Sequence, residues 1–260
     1  MPTLNEILKT YGSIPDLTSF ERPMFVGPHP DDIEFGCGAL ISKLKSLDKE
    51  VTYVIATDGG AGTDGKEITG QMMAETRKKE VLAAAQFMNV KNVEFLALED
   101  GGDYSVDEVI RRLAPVILKY NPDVIFAPDC KLQTECHPDH IKVGEAVRLC
   151  TQIVPHPESL RRRGIDIDGF TTFPGNITLA LFFTDQPNTK VAVSQANLGE
   201  KIQSLMLHVS QTQDPSIELL LNYFKLKALK LGEGTETGLA EDYQVLVPLT
   251  QHVYSEGLNY

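Results

Sequence analysis

Short apolar runs alternate with amphipathic stretches through the first 150 residues of the chain. Met24 to Gly27, Val51 to Thr57, Val93 to Leu98 and Asp123 to Ala127 are compact, partly β-branched and bounded by turn residues, which predicts strands. Between them Ala39 to Leu47, Met72 to Met88 and Val106 to Tyr120 carry apolar residues three and four apart, which predicts helices. Strands that are continuously apolar are buried on both faces, so the pattern calls for a parallel sheet with helices on each side. The expected fold is α/β: Rossmann-like, doubly wound, with a mostly parallel sheet.

From Thr151 the pattern changes. A Pro- and Arg-containing loop runs to Pro174, two strand-like runs follow (Thr178 to Phe183 and Lys190 to Val193), and then two helical stretches, Leu198 to His208 and Ile217 to Leu231. No linker or internal repeat separates this part, so residues 1–260 are expected to form a single domain, an α/β core over 1–150 completed by strands and helices from 151–260.

Composition narrows the partners. With 260 residues, 42% of them hydrophobic, the chain can bury a full core. A formal net charge of -12 argues against nucleic acid, because neutralising phosphates takes clustered Lys and Arg, and the one basic cluster, Arg161 to Arg163, reads as a solvated loop or subunit contact. Met1 to Ser19 lacks the apolar block of a signal peptide, and no run reaches the ~18 apolar residues of a membrane span. The four cysteines, Cys37, Cys130, Cys136 and Cys150, have no CxxC spacing, and a cytoplasmic setting without a membrane partner is expected.

Candidate chemistry lies where strands hand over to helices. His29-Pro30-Asp31-Asp32 follows the first strand and His137-Pro138-Asp139-His140 follows the fourth. In doubly wound sheets ligands bind beyond the carboxyl ends of the strands, so both tetrapeptides should meet at one edge. A catalytic zinc site takes three protein ligands. A single turn can aim His29 and Asp32 at one ion, and His140 supplies the third ligand from the second loop. Asp31 is then left beside the metal, placed to take a proton from the attacking water. His137 faces the pocket as an oxyanion stabiliser or proton donor, with Asp139 fixing its tautomer. The segment Asp58 to Gly70, with five glycines in thirteen residues, reads as a mobile loop over the site.

Other readings weigh against this one. Either tetrapeptide alone fits a helix N-terminus, with an Asp cap and Pro in the first turn. Gly36 and Gly38 follow a strand, but there is no GxGxxG. Cys130 and Cys136 are too far apart for a usual zinc pair and read as small buried thiols.

The motifs PHPDDIEFGCG (28–38), TDGGAGT (57–63), Arg77-Lys78-Lys79-Glu80, HPDH (137–140) and MLHVSQ (206–211) resemble those of the PIG-L/LmbE-like zinc de-N-acetylases. EITG (67–70), FAPD (126–129) and LALFFTDQPN (179–188) are most similar to the archaeal-type diacetylchitobiose deacetylases within that family. The resemblance implies an LmbE-like fold and one Zn2+ per chain held by His29, Asp32 and His140. It also implies Asp31 as base and His137 at the oxyanion and leaving group. From resemblance alone come Arg77 and Asp100 as contacts to sugar hydroxyls, and His252 as a residue that reaches a neighbouring subunit's sugar in a homo-oligomer, a hexamer of paired trimers. His208 reads as structural support.

The expected function is zinc-dependent removal of the N-acetyl group from an N-acetylglucosamine-containing small molecule such as diacetylchitobiose. Two alternatives stay open: a GlcNAc conjugate such as GlcNAc-malate or a thiol or antibiotic precursor as substrate, or a metal- or sugar-binding protein without turnover.

Overall fold

The computed structural model describes residues 12–252 together with Thr3, Glu6 and Thr10. The four expected strands form as β1 (Pro23–Gly27), β2 (Thr52–Thr57), β3 (Asn92–Leu98) and β4 (Val124–Pro128), and the later runs as β5 (Thr178–Phe182) and β6 (Thr189–Ala192). A seventh strand, β7 (Ala240–Leu246), escaped the sequence reading because its first half, Ala-Glu-Asp, carries no apolar signal. Among the described residues the sheet order is β3-β2-β1-β4-β5-β7-β6. The first five strands pair in parallel, and β7 runs antiparallel to both β5 and β6.

Period-two alternation divides each central strand between two cores. Met24 and Val26 of β1 point to one face, where they join Val109, Leu113, Val143 and Val147. Phe25 points to the other, with Leu40, Ile41, Val81 and Leu198. The first face is covered by α3 (Val106–Tyr120) and α4 (Pro138–Ile153), the second by α1 (Asp32–Ser46), α2 (Gly70–Phe87) and α6 (Gln195–Leu205). Three short or late helices complete the chain: α5 (Pro157–Arg162), α7 (Val209–Thr212) and α8 (Ile217–Gly232).

Glu241 explains why a polar strand end is tolerated inside. It is buried, accepts from the backbone N–H groups of Ala39 and Leu40 and from Tyr243 Oη, and pairs with buried Lys201 at 2.6 Å. The carboxylate thereby ties β7 to α1 and α6, and its burial is compensated.

Strand order reverses between β1 and β4, with β2 and β3 on one side and β5 on the other. That reversal opens a crevice at the carboxyl ends of β1 and β4, where a doubly wound sheet binds its ligand. No helix among the described residues is long and apolar enough to cross a membrane. The outward face of α8 nonetheless exposes Leu219, Tyr223, Leu226 and Leu229.

Candidate active site

The loop after β1 folds on itself. Thr57 of β2 donates its N–H and its hydroxyl to Pro28 O, pinning the strand end, and the N–H of Asp31 returns to His29 O at 2.9 Å. Asp32 Oδ2 accepts from the N–H of His29 at 2.8 Å and lies 3.0 Å from His29 Nδ1. Asp32 and Glu34 occupy the first turn of α1, where the helix dipole favours negative charge. Asp31 stands at the N-cap yet makes no capping bond, so the capping reading of HPDD does not hold.

The loop after β4 brings the second tetrapeptide to the same place. Pro138 opens α4 and His137 is its N-cap, its Nδ1 accepting from the N–H of Asp139 at 3.3 Å. Here the capping reading is partly right, through the imidazole rather than the carboxylate. An accepting Nδ1 leaves the proton of the neutral ring on Nε2. Burial and the neighbouring His29 and His140 rings lower the pKa of His137. His140 Nε2 comes within 3.3 Å of Asp32 Oδ2.

His29, Asp32 and His140 therefore offer three donor atoms to one point, all within 4.8 Å of one another. Ligands on a tetrahedral zinc with bonds of about 2.05 Å stand about 3.3 Å apart. The separations of 3.0 Å from Asp32 Oδ2 to His29 Nδ1 and 3.3 Å to His140 Nε2 fit that spacing. With Nδ1 of His29 turned to the point the three donors share, its Nε2 faces Asp100 Oδ1 at 3.2 Å and Asp139 Oδ2 at 3.3 Å, carboxylates placed as those that fix an imidazole on a metal would be. Burial opposes a proton on His29, but Asp100, Asp139 and Asp32 outweigh it and push the ring up to about 12. Asp32 is held well below the usual carboxylate range: burial raises it, and the His140 and His29 rings more than reverse that. The negative potential that holds this proton is what a divalent cation would meet.

Several placements differ from the sequence reading. Asp139 does not turn its carboxylate to His137. It is buried, accepts from Tyr104 Oη at 2.6 Å and Gly101 N at 2.9 Å, and faces His29, because the start of α4 directs it inward. Arg77 is not at the mouth of the site but buried under it, its Nη2 paired with Asp31 Oδ1 at 2.9 Å and its Nη1 donating to Gly59 O at 3.2 Å. Asp100 has both oxygens engaged, Oδ1 with His29 and Oδ2 with the N–H of Ala61. His252 is exposed and follows the 3-10 turn Pro248–Gln251 after β7, whose last residues pair with the start of β5. It thus lies at the sheet edge opposite the site and does not reach the site of its own chain. Cys130 is half-buried and Cys136 exposed, so neither is the buried thiol expected, and the candidate metal-binding groups among the described residues contain no cysteine.

Two positions carry weight that the sequence reading missed. Glu135 Oε2 is 3.0 Å from His140 Nδ1, and its place two residues before HPDH was a usable signal, since ligand imidazoles pair their second nitrogen with a carboxylate. Tyr104, which orients Asp139, gave no such signal. Burial raises the Asp31 carboxyl, with Arg77 opposing the shift.

A doubly wound sheet that presents a His/Asp cluster able to hold a metal ion at its switch point defines the class, an α/β enzyme with a candidate metal centre. Residues 24–151 match the family described as "PIG-L: GlcNAc-PI de-N-acetylase". The chain is 28% identical over 237 residues to the diacetylchitobiose deacetylase of Thermococcus kodakarensis, covering 90% of this chain and 86% of the relative. The probable N-acetyl-alpha-D-glucosaminyl L-malate deacetylase 2 of Bacillus subtilis is 30% identical over 134 residues, 49% of this chain and 59% of that protein. Among solved structures, N,N'-diacetylchitobiose deacetylase from Pyrococcus horikoshii superimposes with a TM-score of 0.88 at 26% identity, over 98% of this chain and 97% of that one.

Proposed function

We propose that the chain is a zinc-dependent deacetylase that hydrolyses the acetamido group of an N-acetylglucosamine unit, releasing acetate and a free amine. The observation that carries this is the triangle of His29, Asp32 and His140 with the Asp31 carboxylate beside it. Bound there, zinc supplies Lewis acidity toward water and the amide carbonyl. Asp31 takes the proton of the attacking water; Arg77 occupies Oδ1 and sets the orientation of the carboxylate. His137, neutral with its proton on Nε2, donates a hydrogen bond to the oxyanion as the tetrahedral centre forms, and the proton taken by Asp31 passes to the departing nitrogen. Asp139 and Asp100 hold the His29 ring in place.

Taking the cavity beside Asp100 as the aglycone side favours a neutral sugar over an acidic conjugate. A cavity of about 570 Å³ adjoins the site at Asp100 and is lined by Asp58, Glu75 and Glu99, with no Lys or Arg. Carboxylates accept from sugar hydroxyls and repel a malate-type carboxylate. Acetate release measured across GlcNAc, diacetylchitobiose, longer chitooligosaccharides, GlcNAc-malate and GlcNAc-inositol is expected to be fastest for diacetylchitobiose. A preference for GlcNAc-malate would overturn this substrate assignment, and no release from any of them would favour a binding-only protein. The four cysteines are free thiols, which supports a reducing, cytoplasmic setting.

A homo-oligomer is the further part of this reading, and a second copy of the chain is the occupant that the outward face of α8 fits. Antiparallel pairing about an axis between Tyr223 and Leu226 sets those two against each other and brings Glu218 of one copy to Lys230 of the next. An assembly would also give His252 a neighbouring copy's site to approach. Leu226→Glu is expected to lower the mass measured by light scattering; an unchanged mass would remove α8 from the interface.

A further inference from the structure

The short helix α7 carries a polar corner that the chemistry above leaves unused. Ser210 donates its N–H to Glu80 Oε1 and its hydroxyl to Glu80 Oε2, both at 2.7 Å, and Glu80 lies three residues beyond Arg77 on α2. Gln211 Nε2 donates to Gly62 O at 3.2 Å. Gly62 is enclosed between two side chains: a Cβ there would come within 2.9 Å of Arg77 Nη1 and 3.1 Å of Gln211 Nε2. Gly59, at φ +70°, is as tightly placed, since a Cβ would meet Arg77 Cδ and Cζ at 3.0 Å. These glycines let the turn close on the Arg77 guanidinium.

The turn reaches both arms of the site. Its Gly59 carbonyl accepts from Arg77, which grips Asp31; its Ala61 N–H donates to Asp100, which faces His29. Among the described residues Arg77 Nε finds no partner, and Asp31 and the turn orient the guanidinium. Gln211 in turn is the side chain that anchors Gly62 from outside the turn.

We propose that Gln211 is a positioning residue for the deacetylation: by holding Gly62 it fixes the Gly59–Gly62 turn on Arg77, and through Arg77 the Asp31 carboxylate. The proposal rests on the reading of Asp31 as the base. Without the amide, a segment with three glycines in four residues regains its conformational freedom, and the guanidinium loses one wall of its cradle. Displacing a reacting group by an ångström costs on the order of a hundred-fold in rate.

Gln211→Met keeps the volume and removes the amide, and Gln211→Ala removes both. Each is expected to lower kcat per bound metal by about ten- to hundred-fold, with KM changed by less than about two-fold. Metal content should stay at the wild-type level, and amide exchange at Ala61 and Gly62 should quicken. If Gln211→Met keeps wild-type kcat, or exchange at the turn is unaltered, the proposal fails. A loss traced entirely to unfolded or metal-free molecules would also overturn it, since that marks a structural role. Should the wild type release no acetate from any N-acetyl sugar, the deacetylase reading fails, while exchange at Ala61 and Gly62 in Gln211→Met still decides whether Gln211 holds the turn.

Discussion

Replacing Asp31 with Asn is expected to slow acetate release on the order of a hundred- to ten-thousand-fold, with metal content unchanged. Asn keeps the shape of the side chain and an oxygen that accepts from Arg77 Nη2, so the geometry of the loop survives. It cannot take a proton, which is the one thing the reaction asks of it. The variant also leaves the Arg77 guanidinium buried without its counter-charge, and breaking such a pair costs about 3–5 kcal/mol. Urea unfolding should therefore show reduced stability alongside the lost activity. The rate is to be compared per folded, metal-loaded molecule, and turnover near the wild-type value on that scale would remove Asp31 as the base.

Removing the metal is expected to have an effect of similar size. Chelation should abolish acetate release, and zinc at about one equivalent should restore it. His140→Ala removes one of three donors and should leave the purified protein well short of one metal per chain by elemental analysis. His29→Ala should do the same, and it also strips Asp100 and Asp139 of the ring they face. If both variants retain full metal content, the ligand assignment is wrong, whatever their activity.

Why so much of the site is legible in the chain follows from where its residues stand. The ligand set lies at ends of strands that are buried on both faces, and such strands announce themselves as unbroken apolar runs. That His29, Asp32 and His140 converge was readable because a tight turn and a helix start leave few directions for side chains one turn apart. Asp139 was misread for the same reason: sequence neighbours suggest contact with His137, whereas the first turn of α4 sends its carboxylate inward to Tyr104 and His29. Arg77 stands one turn from Met73 and one from Val81 on the buried stripe of α2, so its spacing marked it for burial, and only its charge argued for the surface. β7 went unseen because its polar start is paid for by Lys201 and two backbone amides that are distant in sequence.

The pairing of β1 with β4, Met24 against Ile125, is the contact that brings the two tetrapeptides together. His29 is more than a hundred residues ahead of His140, so a chain still emerging from synthesis holds only two of the three donors. Capture of an ion therefore has to wait for the strands to register, and its binding energy adds to the stability of the folded form alone. An ion bound in this crevice would act as a latch on the long-range topology as well as a reagent.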